Sequence, residues 1–136
     1  MATFNKFNSF VEALCEKVHN LESDQLMVGL TNSAPSASNT QRTDITEISY
    51  TNCSSRVLSV VSSAQTSGSY KLVVNDLVLT ASGGTVGPFR YVFVYNNTAT
   101  NDELICWFDY GSSITLASGE TLTIDFDGSN GLFTLS

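Results

Sequence analysis

Two apolar runs joined by a short polar link limit the folds available to this chain more than any other feature. The runs lie at residues 90–95 and 104–110, and the link between them reads NNTATND. Successive side chains of a β-strand point to opposite faces, so Tyr91, Phe93 and Tyr95 share one face and the intervening valines share the other. Because both faces are apolar at mid-strand, the pattern predicts a hairpin at the centre of a β-sandwich.

The second run is expected to alternate in the same way and to end early. Strict alternation places Leu104, Cys106 and Phe108 together on one face of the strand. Gly111 follows the run. Because glycine weakens a strand interior, we expect the strand to break there.

The chain beyond residue 22 has the pattern of an all-β domain. Short apolar segments are separated by turns rich in Gly and Ser, and they include 25–30, 56–62, 70–81 and 121–127. The third of these is long enough for one bent strand or for two short ones. Roughly eight or nine short strands are typical of a sandwich or jelly roll. We therefore predict a mainly β fold, an antiparallel β-sandwich or jelly-roll-like domain over residues 23–136.

Residues 1–22 carry the clearest helical pattern of the sequence. Apolar side chains recur there at spacings of three and four, at Phe4, Phe7, Val11, Leu14, Val18 and Leu21. This spacing predicts one N-terminal amphipathic helix, with Thr3 as its cap. The helix either packs on its own sheet or extends as an arm that docks a neighbouring subunit. The polar segment 31–43 is correspondingly either an exposed loop or an arm laid over a partner.

The composition is poor in charge. Apolar residues make up 42% of the chain and charged residues 14%, against roughly 25% charged in typical soluble domains. That surface suits an ordinary β domain with a hydroxyl-rich exterior, and it equally suits a face that is buried against a partner. The net charge is −7 and the six basic residues are scattered, so we expect neither nucleic-acid binding nor a polybasic membrane contact.

The three cysteines argue against a disulfide framework. Cys15, Cys53 and Cys106 are odd in number and form no CxxC pair. Cys15 and Cys106 lie among apolar residues and are expected to be small buried side chains. The first residues lack the pattern of a signal peptide, and no apolar run approaches the roughly 20 residues of a membrane span. We therefore expect assembly in a cytoplasm.

The sequence contains no complete motif for a catalytic or metal site. His19 is the sole histidine, and its place near the end of the predicted helix suggests an exposed side chain. Residues 125–131 resemble the start of a calcium loop but lack the Gly and Glu that such a loop requires, so we expect a solvated turn. Asp109, Glu120 and Asp125 would have to converge to form a hydrolytic carboxylate pair. We predict no catalytic, cofactor or metal site and no enzyme activity, with a small hydrolase as the weaker alternative.

Several stretches resemble a group of small virion structural proteins of tailed bacteriophages. They are ATFNKFNSFVEAL, TNSAPSASNT, the segment from GPFRYV to DYGSSITL, and GETLTIDFD. The resemblance covers most of the chain. It implies a head decoration (cement) protein that binds the outer capsid surface and strengthens contacts between major capsid subunits. It places the protein on the outer head surface of the virion, after assembly in the host cytoplasm.

A decoration protein of this kind has expected partners. They are the major capsid protein and, by symmetric self-association, further copies of the same chain. The terminal helix and the polar loop could reach the shell, which nominates Phe4, Phe7, Val11 and Pro35 as partner contacts. The alternative is a tail, collar or fibre component that binds a partner protein or host carbohydrate.

Overall fold

Ten strands and one α-helix account for the regular structure in a computed structural model that describes residues 2–136. A short 3₁₀ turn, Arg42–Asp44, lies between the second and third strands. The elements in chain order are β1 (Asn5–Lys6), α1 (Asn8–Cys15), β2 (Leu26–Thr31), β3 (Val57–Leu58), β4 (Val60–Thr66), β5 (Ser69–Val74), β6 (Leu77–Thr80), β7 (Val86–Asn96), β8 (Leu104–Leu116), β9 (Thr121–Ile124) and β10 (Phe133–Leu135).

The strands form three antiparallel sheets. The largest has five strands in the order β1-β8-β7-β2-β3, and the smaller ones have the orders β10-β5-β4 and β6-β9. The predicted hairpin is β7 with β8, and it occupies interior positions of the largest sheet. The mainly β, sandwich-like fold predicted from the sequence is therefore confirmed.

The main core lies between the five-stranded sheet and the two smaller ones. One face of the large sheet contributes buried aliphatic side chains, among them Leu26, Val28, Leu30, Val92, Val94 and Ile105. The smaller sheets and the C-terminal segment contribute others, among them Leu72, Val74, Leu79, Phe126 and Leu132. The segment 70–81 divides into β5 and β6, so both of its strands reach this core.

The opposite face of the large sheet is also buried, as the aromatic stripe predicts. Phe93 and Tyr95 form an outer-face cluster whose other buried members are Phe7, Ile45 and Leu104. The 3₁₀ turn covers this cluster. Its Arg42 guanidinium lies 4.7 Å from the centre of the Tyr95 ring and bonds Glu47 at 2.7 Å.

A glycine makes room for one ring of this cluster. Gly29 of β2 lies directly opposite Phe93 of β7. A Cβ atom at position 29 would lie 2.0 Å from Cζ of the Phe93 ring, so the ring occupies the place of the missing side chain. This close approach explains a glycine inside a buried strand.

The predicted helix over residues 1–22 is wrong in its extent. Residues Asn5–Lys6 pair with β8 as β1, and Phe7, not Thr3, precedes the helix, without a side-chain cap. The helix ends after Cys15, and Lys17 has the left-handed φ of 67°. Backbone pairing with a buried strand thus overrides the helical spacing of the first residues.

The helix packs on its own domain. Phe10 is buried in the main core, and its ring meets Phe133 edge-on at 5.3 Å. Burying a ring of this size stabilises a fold by about 1.5–3 kcal/mol. Cys15 is exposed at the end of the helix, which corrects the expectation that it is buried, whereas Cys106 is buried as predicted.

Strand β8 departs from the sequence pattern at both ends. Near its start the register moves from Val94 opposite Cys106 to Tyr95 opposite Leu104. Ile105 is bypassed there, so Leu104 joins the outer-face cluster while Ile105 and Cys106 both belong to the main core. Further along, the strand does not break at Gly111. It continues to Leu116, and Gly111 takes a φ of 98° within an irregular part of the register.

Candidate functional site

The four side chains nominated as partner contacts lie in different surroundings. Phe7 is 0% exposed and packs 4.6 Å from Trp107 in the outer-face cluster, so it is a core residue and not a contact in this conformation. Phe4 is partly buried on the other side of the sheet, 6.0 Å from the ring of Phe108. Val11 is 47% exposed on α1, and Pro35 is partly exposed in the polar loop.

A backbone hydrogen bond joins the start of the helix to the polar loop. The backbone N–H of Asn8, at the start of α1, donates to the carbonyl oxygen of Ala37 at 2.9 Å. Val11 is therefore one turn of helix beyond this junction, and Pro35 is two residues before it. We call this face, residues 8–15 of α1 with residues 32–41 of the loop, the helix–loop surface. Its loop part, NSAPSASNTQ, contains no charged side chain.

The loop is held by its own short polar side chains. The backbone N–H of Ser36 donates to Oδ1 of Asn39 at 2.8 Å, and the N–H of Asn39 donates back to the Ser36 carbonyl at 2.9 Å. The carboxylate of Asp44 accepts from the N–H groups of Thr40 and Gln41, and these bonds lower the pKa of Asp44. A loop fixed in this way loses little conformational freedom on binding.

The loop is also tied to the central sheet. The N–H of Leu104 in β8 donates to the Thr40 carbonyl at 3.1 Å, and the N–H of Arg42 donates to the Asp102 carbonyl at 3.0 Å. Both bonds lie just beyond the loop tip. The loop is therefore bonded both to α1 and to β8 of its own chain.

A cleft of about 610 Å³ lies outside the helix–loop surface. Its walls are formed by β8, by β9 with the residues after it, and by the first residues of the chain. Most of its lining is apolar, and the aromatic members are Phe4, Phe108, Tyr110 and Phe126. Two carboxylates, Asp125 and Asp127, also line it. The Asp127 carboxylate is occupied by the turn that follows, where it accepts from the N–H groups of Ser129 and Asn130.

His19 is buried, which corrects the prediction of an exposed side chain. It is 6% exposed and packs against the ring of Phe10. Its Nδ1 atom lies 3.0 Å from Nδ2 of Asn96. Oδ1 of Asn96 accepts from two backbone N–H groups, so Nδ2 is the donating atom and Nδ1 of His19 is the acceptor.

This contact fixes the protonation state of His19. A neutral imidazole that accepts at Nδ1 carries its proton on Nε2, and Nε2 has no partner among the described residues. Burial lowers the pKa of His19, and the carboxylates of Glu103 and Asp24 oppose that effect. Asp24 accepts a second bond from Nδ2 of Asn96 at 2.7 Å. The arrangement joins the segments that carry His19, Asp24 and Asn96.

Two negative findings apply to the described part of the chain. Across residues 2–136, no three His, Cys, Asp or Glu side chains gather into a group that could hold a metal ion. Over the same residues, no helix has the length and apolar character needed to cross a membrane.

Comparison with known proteins gives no relative. No protein-family model, no curated protein and no solved structure matches this chain. Its function therefore has to be inferred from the residues and the geometry described above.

Sequence reasoning missed two features of these surfaces. The cleft has no signature in the sequence, because its walls come from the first residues, β8 and β9, which are far apart along the chain. The buried place of His19 depends on Asn96, 77 residues away. A usable signal was the polar Asn96 at the end of a strand that is otherwise buried, since a buried amide requires partners.

Proposed function

We propose that this chain is a non-enzymatic head decoration protein of a tailed bacteriophage. In this role it binds the outer surface of the capsid through the major capsid protein and stabilises the shell. The sequence resemblance motivates the proposal, and one structural observation supports it: the two segments nominated as contacts, α1 and the polar loop, are joined by the Asn8–Ala37 hydrogen bond.

The helix–loop surface has the properties that shell binding requires. It combines an exposed apolar side chain, Val11, with an uncharged loop that is already ordered before binding. Interface cores are depleted in charge, and preorganisation reduces the cost of association. A shell also presents many identical sites, so a modest affinity for each site can give stable decoration when copies are linked.

The proposal is tested by co-sedimentation of the purified protein with empty capsids of the same virus. Saturation at a fixed ratio to capsid subunits is the expected result, and the ratio reports the symmetry of the site. We expect Val11→Glu to weaken binding at least about tenfold, as loss of an interface hot spot does. Absence of saturable binding to intact heads would refute the proposal.

Val78→Glu is the matched control. Val78 lies in β6, outside the helix–loop surface. Its side chain is 51% exposed, which is similar to the 47% of Val11. The same charge is therefore added to a valine of similar exposure. We expect its capsid binding to stay within about twofold of the unmodified protein. Equal losses in both variants would show that added charge, and not the helix–loop surface, governs binding.

A tail, collar or fibre component that binds host carbohydrate is the second candidate. The observation in its favour is the cleft, where the exposed ring of Tyr110 and the carboxylate of Asp125 line the same opening. Aromatic rings and acidic oxygens are groups that sugars contact, although the mainly apolar lining suits them poorly. Binding on a glycan array that is lost in Tyr110→Ala would favour this function over decoration.

A further inference from the structure

Strand β4 is a bare edge. It is the outermost strand of the sheet β10-β5-β4, and within residues 2–136 its only strand partner is β5. Both of its faces are open to solvent over most of its length, and Val61 is 58% exposed. Its outer row of backbone N–H and C=O groups is therefore available for pairing with another strand.

The edge lacks the features by which soluble proteins block such pairing. Natural edges are short, carry Lys or Pro, or are covered by another segment. β4 has seven residues, and the sequence from residue 57 to residue 70, between Arg56 and Lys71, contains no charged residue and no proline. Its one irregularity is a register shift at Val61, so residues 62–66 remain in regular register with β5.

The other edges are short, covered or irregular. Strand β8 extends beyond its pairing with β1, but this part carries Asp109 and has no regular register with β7 between Asp109 and Ile114. β1 and β3 have two residues each, and β10 has three. Along β6, the N–H of Ser54 donates to the Thr80 carbonyl and the N–H of Thr80 donates to the Ser54 hydroxyl. Strand β9 has four residues and is flanked by the carboxylates of Glu120 and Asp125. Among these edges, β4 combines length, lack of charge and a regular register over residues 62–66.

We infer that β4 pairs with β4 of a second copy of this chain in an antiparallel manner. The pair joins two three-stranded sheets into one of six strands, β10-β5-β4 continued by β4-β5-β10 of the other copy. A two-fold axis normal to the sheet relates the copies, so each face of the sheet in one copy continues as the same face in the other. Even-numbered side chains therefore meet even-numbered ones, so Ser62 and Ala64 of one copy lie beside those of the other.

An uncharged edge and closure by symmetry favour a second copy as the occupant. Each chain has a net charge of −7, so two copies repel when their acidic surfaces approach. The stretch 57–70 is uncharged, so pairing along β4 brings no like charges of this strand together. Pairing of identical edges about a two-fold axis also closes on itself, which stops association at two copies.

The experiment is sedimentation velocity on the full chain and on two charge variants. Ser62→Lys/Ala64→Lys places like charges across the two-fold axis, and so does Ser62→Glu/Ala64→Glu. We expect the unmodified protein to sediment at twice the chain mass of 14.7 kDa and each variant at the single-chain mass. An equimolar mixture of the Lys and Glu variants should recover the doubled mass, because opposite charges then face each other.

The control Val78→Lys/Thr121→Lys adds the same charge at exposed positions of the sheet β6-β9, and it should leave the dimer intact. A single-chain mass for the unmodified protein at high concentration would overturn the inference. So would a dimer that survives in both charge variants, or a mixture that fails to recover it. Circular dichroism establishes that each variant is folded. If a variant is not folded, amide hydrogen exchange of the unmodified protein tests the inference instead. The exchange rates of residues 62–66 must then fall as the protein concentration rises.

Edge pairing and shell binding can be tested independently of each other. Capsid co-sedimentation of the charge variants separates the two, since a monomeric variant that still binds heads retains the decoration role. A dimer that does not co-sediment with capsids supports the edge pairing and contradicts the decoration role.

Discussion

The Gly29–Phe93 contact offers the sharpest quantitative test of the fold. In Gly29→Ala the new Cβ would lie 2.0–2.5 Å from three atoms of the Phe93 ring, where ordinary contact is 3.4–4 Å. The ring must therefore retreat by more than an ångström. Phe93 is fully buried among Phe7, Tyr95 and Leu104, so the retreat disturbs the whole outer-face cluster.

The expected loss in the free energy of unfolding is about 3 kcal/mol. Overpacking a dense core costs roughly 1–3 kcal/mol, and complete loss of a buried Phe ring costs roughly 3–5 kcal/mol. Gly29 has no left-handed φ, so alanine is allowed by the backbone and recovers about 0.4–1 kcal/mol from the unfolded state. A domain stable by roughly 5–15 kcal/mol tolerates such a loss, which keeps it measurable.

Urea unfolding followed by the fluorescence of Trp107 reports on the same cluster. The matched control is Gly128→Ala, because a Cβ at position 128 meets nothing within 4 Å, and we expect it to change stability by less than about 1 kcal/mol. Phe93→Leu removes the ring atoms that clash. Its cost should therefore be lower when it is combined with Gly29→Ala than when it is made alone, by a coupling of about 1 kcal/mol or more. A Gly29→Ala change within about 0.5 kcal/mol of the control, or strictly additive effects, would refute the packing argument.

Three further measurements test other parts of the structure. Tyr50→Phe should lower the free energy of unfolding by about 1–3 kcal/mol in urea titration, since the Tyr50 hydroxyl lies 2.8 Å from the buried N–H of Leu30. Burial lowers the pKa of His19 from 6.5. Its contribution to stability is therefore present above pH 6.5 and declines as the pH falls through that value toward the folded pKa. His19→Phe should remove this part of the fall in melting temperature between about pH 7.5 and about pH 5. A thiol reagent should modify the exposed Cys15 in the native protein but reach the fully buried Cys106, whose pKa burial raises, only after unfolding.

Each of these outcomes has a control within the chain. Tyr110→Phe removes a hydroxyl from an exposed ring and should leave stability within about 0.5 kcal/mol. Retention of the full acid sensitivity in His19→Phe would assign it to other groups. Asp44, Asp109 and Asp127 also have lowered pKa values, but they lose their stabilising contribution only as the pH falls through 3.8 and below. Reaction of both thiols at equal rates would contradict the burial of Cys106.

The central hairpin could be predicted because its pattern is local. Two strands with apolar side chains on both faces must be covered on both sides, which favours the middle of a sandwich. Residues 4–7 show the opposite case: their apolar spacing fits a helix, yet Asn5–Lys6 pair with β8. Pairing energy from a distant strand is absent from any local window, and so the extent of the helix was wrong.

The errors in the candidate sites have the same origin. His19 was expected at the surface because it lies near the end of the predicted helix, whereas the fold places Asn96, 77 residues away, beside its ring. The register change beside Ile105 arises from the fit of β7 to β8 and leaves no trace in the alternation of apolar residues. The bare edge of β4 differs, since its lack of charge is visible in sequence and only its position required the fold.

The anchoring of the polar loop has a mechanical consequence. The loop is tied to α1 through Ala37 and to β8 through Thr40, and its far end is tied near Asp102. A pull on the loop tip therefore loads these backbone bonds together and is transmitted to a strand inside the five-stranded sheet. Bonds that share a load in parallel resist rupture better than bonds that open one after another. A partner bound to this loop would therefore pull on the five-stranded sheet and not on the loop alone.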